Sequence, residues 1–250
     1  MNSSGNSPKA HPGHDARRER HDAGAADSPR LWNPPVAVAV LAAGLSRRMG
    51  ALNKLVQELD GEPMVRRVVR QALASRCDRV LVVLGHEADR VREALSGLHV
   101  QFIRNPDYQE GLAASVRAAA RAARPGEALM ICLGDMPQVD TLVIDRLIDA
   151  YRAEGPREEA VEALAPMHDS GGMAAYQPEF EGRRGNPVLW APQAVALLTA
   201  LQGDEGARAL LKRLGGQVMA VPVQGGGIFM DIDTPQALQA ARRQEKFPRT

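Results

Sequence analysis

Every residue from Val36 to Leu41 is apolar, in the order Val-Ala-Val-Ala-Val-Leu, with no polar position to mark a wet face. A run without alternation predicts a strand buried on both faces of a parallel sheet. Similar runs recur at 79–85 (RVLVVLG), 100–103 (VQFI) and 128–133 (ALMICL). Between them the apolar positions switch to helical spacing. MVRRVVRQALAS follows Pro63, a short helix is expected over Ala88–Leu95, an alanine-rich one from Gly111 to about Ala123, and another over Val139–Tyr151. This alternation predicts an α/β fold, a mostly parallel sheet with helices on both faces.

The second half is less regular. Val161–Pro166 is expected as a strand and Met167–Glu181 as an exposed, Gly-rich polar excursion. A short strand is expected over Asn186–Trp190, a helix over Pro192–Leu201, a second helix from Asp204 to Leu214, and a strand over Val218–Val221. Gly225-Gly226-Gly227 reads as flexible. Phe229–Asp233 then runs into Thr234-Pro235, a helix start with Pro at its first position. The first 34 residues are Ser-, Gly-, Pro- and His-rich and read as a disordered tail, leaving one folded domain over 35–250.

Composition narrows the function classes. The 31 basic and 30 acidic residues nearly cancel, which argues against a general nucleic-acid coat. Aromatic residues make up only 4% of the chain, too few for a base-stacking platform. Cys77 and Cys132 sit in or beside apolar stretches and read as buried thiols of a cytoplasmic, reducing compartment. No apolar run approaches the roughly 20 residues needed to span a bilayer.

The first strand opens abruptly into Ala42-Ala43-Gly44, followed by Ser46, Arg47, Arg48, Gly50 and Lys54 with no acid among them. Backbone N–H groups and fixed cations after a buried strand can surround an anion. The loop matches neither G-x-G-x-x-G nor G-x-x-x-x-G-K-[ST], which disfavours an NAD enzyme and an ordinary P-loop NTPase. Gly44 would let the backbone approach a phosphate, Arg48 would fork onto its oxygens, and Lys54 would add a point charge. Taken alone, the loop reads equally as a solvated basic turn.

Two acidic segments change that balance. Gly134-Asp135-Met136-Pro137 follows the 128–133 strand, where open α/β sheets bind ligands. Asp231 and Asp233 precede the last helix. Each alone also reads as helix-cap chemistry. Together with the basic loop they suit magnesium, which takes one or two carboxylates plus substrate phosphates.

LAAGLSRRMGALNKL, GLAASVRAAA, CLGDMPQV, GRRGNPVLW, GDEGARALL and DIDTPQAL occur in that order. Over about Val36–Ala240 the chain resembles the molybdopterin nucleotidyltransferases, with Ala42-Ala43-Gly44 closer to the cytidylyl members than to the guanylyl ones. The resemblance implies a Rossmann-like nucleotidyltransferase fold. It implies Mg²⁺-dependent transfer of CMP from CTP to the phosphate of Mo-molybdopterin, with release of pyrophosphate. By resemblance the Leu41–Gly50 loop (Leu41, Ala42, Ala43, Gly44, Ser46, Arg47, Arg48, Gly50) and Lys54 hold the triphosphate, and Asp135 and Asp233 hold Mg²⁺. Gly134 belongs to the second motif. Ser115 and Arg117 match a segment near base and ribose; Arg184 and Asn186, then Asp204 and Arg208, match acceptor-side segments. Partners so implied are CTP, Mo-molybdopterin and a recipient molybdoenzyme or its chaperone, without nucleic acid or membrane. Another nucleotide, another acceptor such as a sugar 1-phosphate, or a non-catalytic delivery role stay open.

Overall fold

A computed structural model describes residues 33–49, 52–154, 172–202 and 207–243. The segment 1–32, the strand expected over Val161–Pro166, and Gly50, Asp204 and Gly206 lie outside the described residues, as does the side chain of Arg47.

The described strands are β1 (Val36–Ala42), β2 (Glu58–Leu59), β3 (Glu62–Pro63), β4 (Arg79–Leu84), β5 (Gln101–Arg104), β6 (Ala128–Leu133), β7 (Ala175–Phe180), β8 (Arg183–Arg184), β9 (Val188–Trp190) and β10 (Val218–Pro222). The helices are α1 (Met64–Leu73), α2 (Ala88–Ala94), α3 (Leu112–Ala122), α4 (Thr141–Ala153), α5 (Pro192–Leu198), α6 (Arg208–Leu214) and α7 (Pro235–Arg243). The main sheet has the order β10-β7-β9-β6-β1-β4-β5, with β8 paired to β7. β1 runs parallel to both β4 and β6, and β4 to β5. β9 is antiparallel to β6 and β7, while β10 is parallel to β7.

The uninterrupted apolar run of β1 has a simple cause. Val36, Val38, Val40 and Ala42 enter one core with α1, α2 and α4, whereas Ala37, Ala39 and Leu41 enter a second core with α3 and α5. Period-two side chains meet helices on both faces, so neither set is wet. Among the described residues no helix is long and apolar enough to cross a membrane.

Two local expectations are revised. The polar excursion ends in β7, a strand inside the sheet with Ala175 and Tyr176 buried. Its small residues and Pro178 carry little strand propensity; pairing with β9 and β10 supplies the order instead. Gly226–Phe229 is a 3₁₀ turn, and a Cβ at Gly227 would stand 2.5 Å from the Gln138 carbonyl oxygen, so close packing requires this glycine. Residues 230–233 form no strand. A small hairpin, β2–β3, turns through Asp60 and Gly61, both at positive φ.

Candidate active site

The carboxyl ends of β1 and β6 carry the basic loop and Asp135 to the same edge of the sheet. Gly134 makes this possible. Its N–H donates to the Leu41 carbonyl at 3.1 Å, and a Cβ there would lie 2.9 Å from that oxygen. The chain then turns to α4, whose first turn is capped by Asp140, which accepts from Val143 N at 2.9 Å. α7 is capped by Thr234, whose hydroxyl accepts from Ala237 N at 3.1 Å. Asp135 and Asp233 therefore have no capping duty.

Lys54 joins them. Its Nζ lies 2.5 Å from Asp135 Oδ2 and also donates to Asp233 Oδ1. Arg48, 70% exposed, reaches Asp233 Oδ2 at 2.5 Å. The backbone reinforces the junction, with Ile232 N–H donating to the Asp135 carbonyl at 2.9 Å. Met49 from the loop packs with Ile232 and Leu238 in a small buried cluster. Ser46, in the left-handed region at φ 50°, accepts the Lys54 N–H through its hydroxyl at 3.2 Å.

Titration follows this geometry. Burial would lower the Lys54 pKa, but the charges and hydrogen bonds of Asp135 and Asp233 outweigh it and hold it above the ordinary lysine value. Burial pushes the Asp233 carboxyl up, and Lys54, Asp231 and Arg48 outweigh it to leave it below the ordinary range. Asp231 goes the other way, raised first by burial and then by its hydrogen bond and repulsion with Asp233.

These groups border a cavity of about 460 Å³ lined by Leu41, Ala43, Gly44, Ser46, Arg48, Lys54, Ser115, Asp135 and Asp233, all named from the sequence. A Cβ at Gly44 would meet nothing within 4 Å, so its backbone is open to a ligand. Ser115 is 5% exposed and accepts from Asn105 Nδ2 at 3.2 Å. Other sequence candidates lie elsewhere. Ala42 points into the core shared with α1 and α4. Arg117 turns to Glu110 Oε2 at 2.5 Å and the Leu201 carbonyl at 2.8 Å. Arg184 pairs with Glu179 at 3.8 Å, and Asn186 donates its N–H to the Ile228 carbonyl at 3.0 Å, on the segment leading to Asp233. Arg208 opens α6 on an exposed face.

The opposite wall, formed by Tyr108, Gln109, Glu110, Gly111 and Leu112, escaped the sequence reading apart from its helix start. It carries no strong charge pattern. Its usable signal was position: Asn105-Pro106 breaks the chain just past β5, at the crevice edge of the sheet.

Residues fit to hold a divalent cation are present in the form of two carboxylates converging on one ammonium, with Asp135 Oδ1 buried and lacking a hydrogen-bond partner. Among the described residues no set of three or more His, Cys, Asp or Glu side chains forms a closed cage. Two carboxylates completed by substrate phosphates are the usual magnesium arrangement.

Comparison with known proteins decides the family. Residues 38–218 match the MobA-like NTP transferase domain. The chain belongs to this family. It is 29% identical over 204 residues to the molybdenum cofactor cytidylyltransferase of Escherichia coli K12, covering 81% of this chain and 93% of that protein. It is 32% identical over 225 residues to the purine catabolism protein PucB of Bacillus subtilis 168, covering 85% and 98%. Among solved structures, Rv0371c of Mycobacterium tuberculosis H37Rv superposes with a TM-score of 0.70 at 23% identity, covering 85% of this chain and all of that one. Rv0371c has also been solved in complex with manganese. This MobA-like chain is an enzyme, a nucleotidyltransferase, built on a nucleotidyltransferase fold.

Proposed function

We propose that this chain transfers CMP from CTP to the terminal phosphate of Mo-molybdopterin, giving the cytosine dinucleotide cofactor and pyrophosphate. The observation that carries the reading is Lys54 held between Asp135 and Asp233 at the mouth of the Gly44–Arg48 loop. The cytidylyl assignment is supported by Ala42-Ala43-Gly44 and by the likeness to the Escherichia coli cytidylyltransferase.

An oxygen of the acceptor phosphate attacks the α-phosphorus in line with the leaving pyrophosphate. The bond to the bridging oxygen breaks as the new P–O bond forms. The acceptor is already an anion, so no strong base is needed. The barrier lies in bringing two polyanions together and stabilising charge on the transferring and leaving groups. Lys54 and Arg48 supply positive charge to the triphosphate, and the open backbone at Gly44 supplies N–H donors. Asp135 and Asp233 would hold Mg²⁺, which when bound neutralises phosphate charge and fixes its geometry. No covalent intermediate is required, and neither thiol lines the cavity. Cys132 is 3% exposed and burial pushes its pKa well up; burial also raises Cys77.

The test is pyrophosphate release from CTP, GTP, ATP and UTP, each with Mo-molybdopterin and with a sugar 1-phosphate. The expected outcome is release only with CTP, Mo-molybdopterin and Mg²⁺. Release with another nucleotide or with the sugar phosphate reassigns the substrate. Mg²⁺·CTP binding without turnover of any acceptor would favour a delivery role.

A further inference from the structure

Lys54 is oriented by more than its two carboxylates. It follows Asn53, a side chain only 2% exposed, whose Oδ1 accepts the Leu55 N–H at 3.0 Å and so shapes the turn that Lys54 opens. Among the described residues the Nδ2 of Asn53 and the Oε2 of Glu87 are both buried and neither has a hydrogen-bond partner within normal bonding distance. The two side chains face one another. Arg90 first, then the Asn53 amide, hold the Glu87 carboxyl below its ordinary value against the cost of desolvation.

Glu87 reaches this position from a strained backbone, φ 47° and ψ 42°. Left-handed conformations of non-glycine residues persist where their surroundings over-determine them, and they gather at functional sites. Helix capping does not explain the residue, because its side chain makes no cap hydrogen bond to α2. Arg90 takes Oε1 at 2.8 Å, which leaves Oε2 turned inward. The preceding His86 donates its N–H to the Ala43 carbonyl at 3.2 Å, tying this corner to the cavity wall.

We propose that Glu87 is a positioning residue for Lys54, acting through Asn53. By accepting from Asn53 Nδ2, it fixes the side-chain amide so that Oδ1, not the NH₂ group, meets the Leu55 N–H. A reversed amide would set donor against donor and release the turn from which Lys54 reaches Asp135 and Asp233. The inference rests on Lys54 being a triphosphate ligand.

The test uses the full chain and measures binding of Mg²⁺·CTP, or whichever triphosphate the pyrophosphate assay selects, beside thermal stability. Asn53→Asp sets two carboxylates face to face and lowers affinity about tenfold or more. Glu87→Gln keeps an acceptor oxygen and costs only about two- to threefold. Combining them reverses the polarity of the bond, because the introduced amide donates to the introduced carboxylate while Leu55 keeps its acceptor. Affinity then returns to within about threefold of the wild type. Glu87→Gly relieves the left-handed strain but removes the acceptor and the Arg90 pair, so its Tm changes little while affinity falls about tenfold. A purely structural Glu87 would leave that affinity unchanged. A double variant no better than Asn53→Asp, or a Glu87→Gly variant that binds like the wild type, overturns the proposal. Lys54→Ala separates the two levels. If it binds nucleotide normally, the triphosphate reading fails and this inference with it; if it weakens binding while the Asn53 and Glu87 changes are merely additive, the inference alone fails.

Discussion

The main-chain N–H of Ile232 donates to the main-chain carbonyl of Asp135 at 2.9 Å, which sews together two acidic segments nearly 100 residues apart in the chain. The bond uses no side-chain atom. The carboxylates of Asp135 and Asp233 can therefore be altered without undoing the junction that brings them together.

This gives the first prediction. Asp135→Ala removes a side chain that caps no helix and leaves the 2.9 Å backbone bond in place. Transfer should fall by about 10³-fold or more, the scale seen when a preorganised charge-stabilising group is lost. Thermal melting should stay within a few degrees of the wild type. Near-normal turnover in a folded Asp135→Ala protein would sink the assignment.

Arg48 tests the basic loop with little risk to the fold. Its side chain is 70% exposed, and among the described residues it forms an ion pair with Asp233 alone. Exposed pairs contribute about 0–1 kcal/mol, so Arg48→Ala should melt close to the wild type. Nucleotide affinity should drop roughly tenfold through loss of a charge-assisted phosphate contact. Unchanged affinity in a titration with Mg²⁺·CTP would remove Arg48 from the triphosphate site.

At Gly134 the constraint is space. A Cβ would stand 2.9 Å from the Leu41 carbonyl oxygen and 3.3 Å from Leu55 Cδ2. Gly134→Ala should cost about 1–3 kcal/mol of stability, as overpacking does. It should also shift Asp135, so turnover at permissive temperature should fall alongside Tm. A variant as stable and active as the wild type would show that the loop yields freely.

Asp231 offers a pH signature. Its folded pKa is raised above the ordinary 3.8, by burial and then by Asp233. Its stabilising contribution is therefore fully present below the unfolded value and is lost as pH rises through the raised folded value. Asp231→Asn keeps a donor toward Asp233 at every pH. The Tm advantage of the variant over wild type should grow as the pH rises above the ordinary carboxylate value. A difference that stays flat, or shrinks, contradicts the placement of the proton.

The sheet strands β1, β4 and β6 were legible because they are buried on both faces, and double burial leaves an unbroken apolar run. β7 was not, since Ala175, Gln177 and Pro178 resemble a loop until β9 and β10 pair with the strand. Asp135 and Asp233 were legible through position and chemistry, one just past a strand and one just before a Pro-started helix. What the sequence could not exclude was capping by Asp135 or Asp233; the structure gives the caps of α4 and α7 to Asp140 and Thr234. The Tyr108–Leu112 wall stayed hidden because shape, not charge, brings it to the cavity. The hairpin turn at Asp60-Gly61 carries a common turn dipeptide, with both residues at positive φ.

The reversed direction of β9 has a consequence for how this chain can diverge. Running against β6, it starts near the end of that strand, with Val188 opposite Ile131. The Arg184–Asn186 stretch thus approaches the edge that bears Asp135 without lining the cavity, and it comes from beyond β7, while the Gly44–Arg48 loop and Asp135 follow β1 and β6. Substitutions that retune one contribution need not pass through the strands that hold the other. A single inverted strand in this way delivers a second connection to the edge where β6 delivers Asp135.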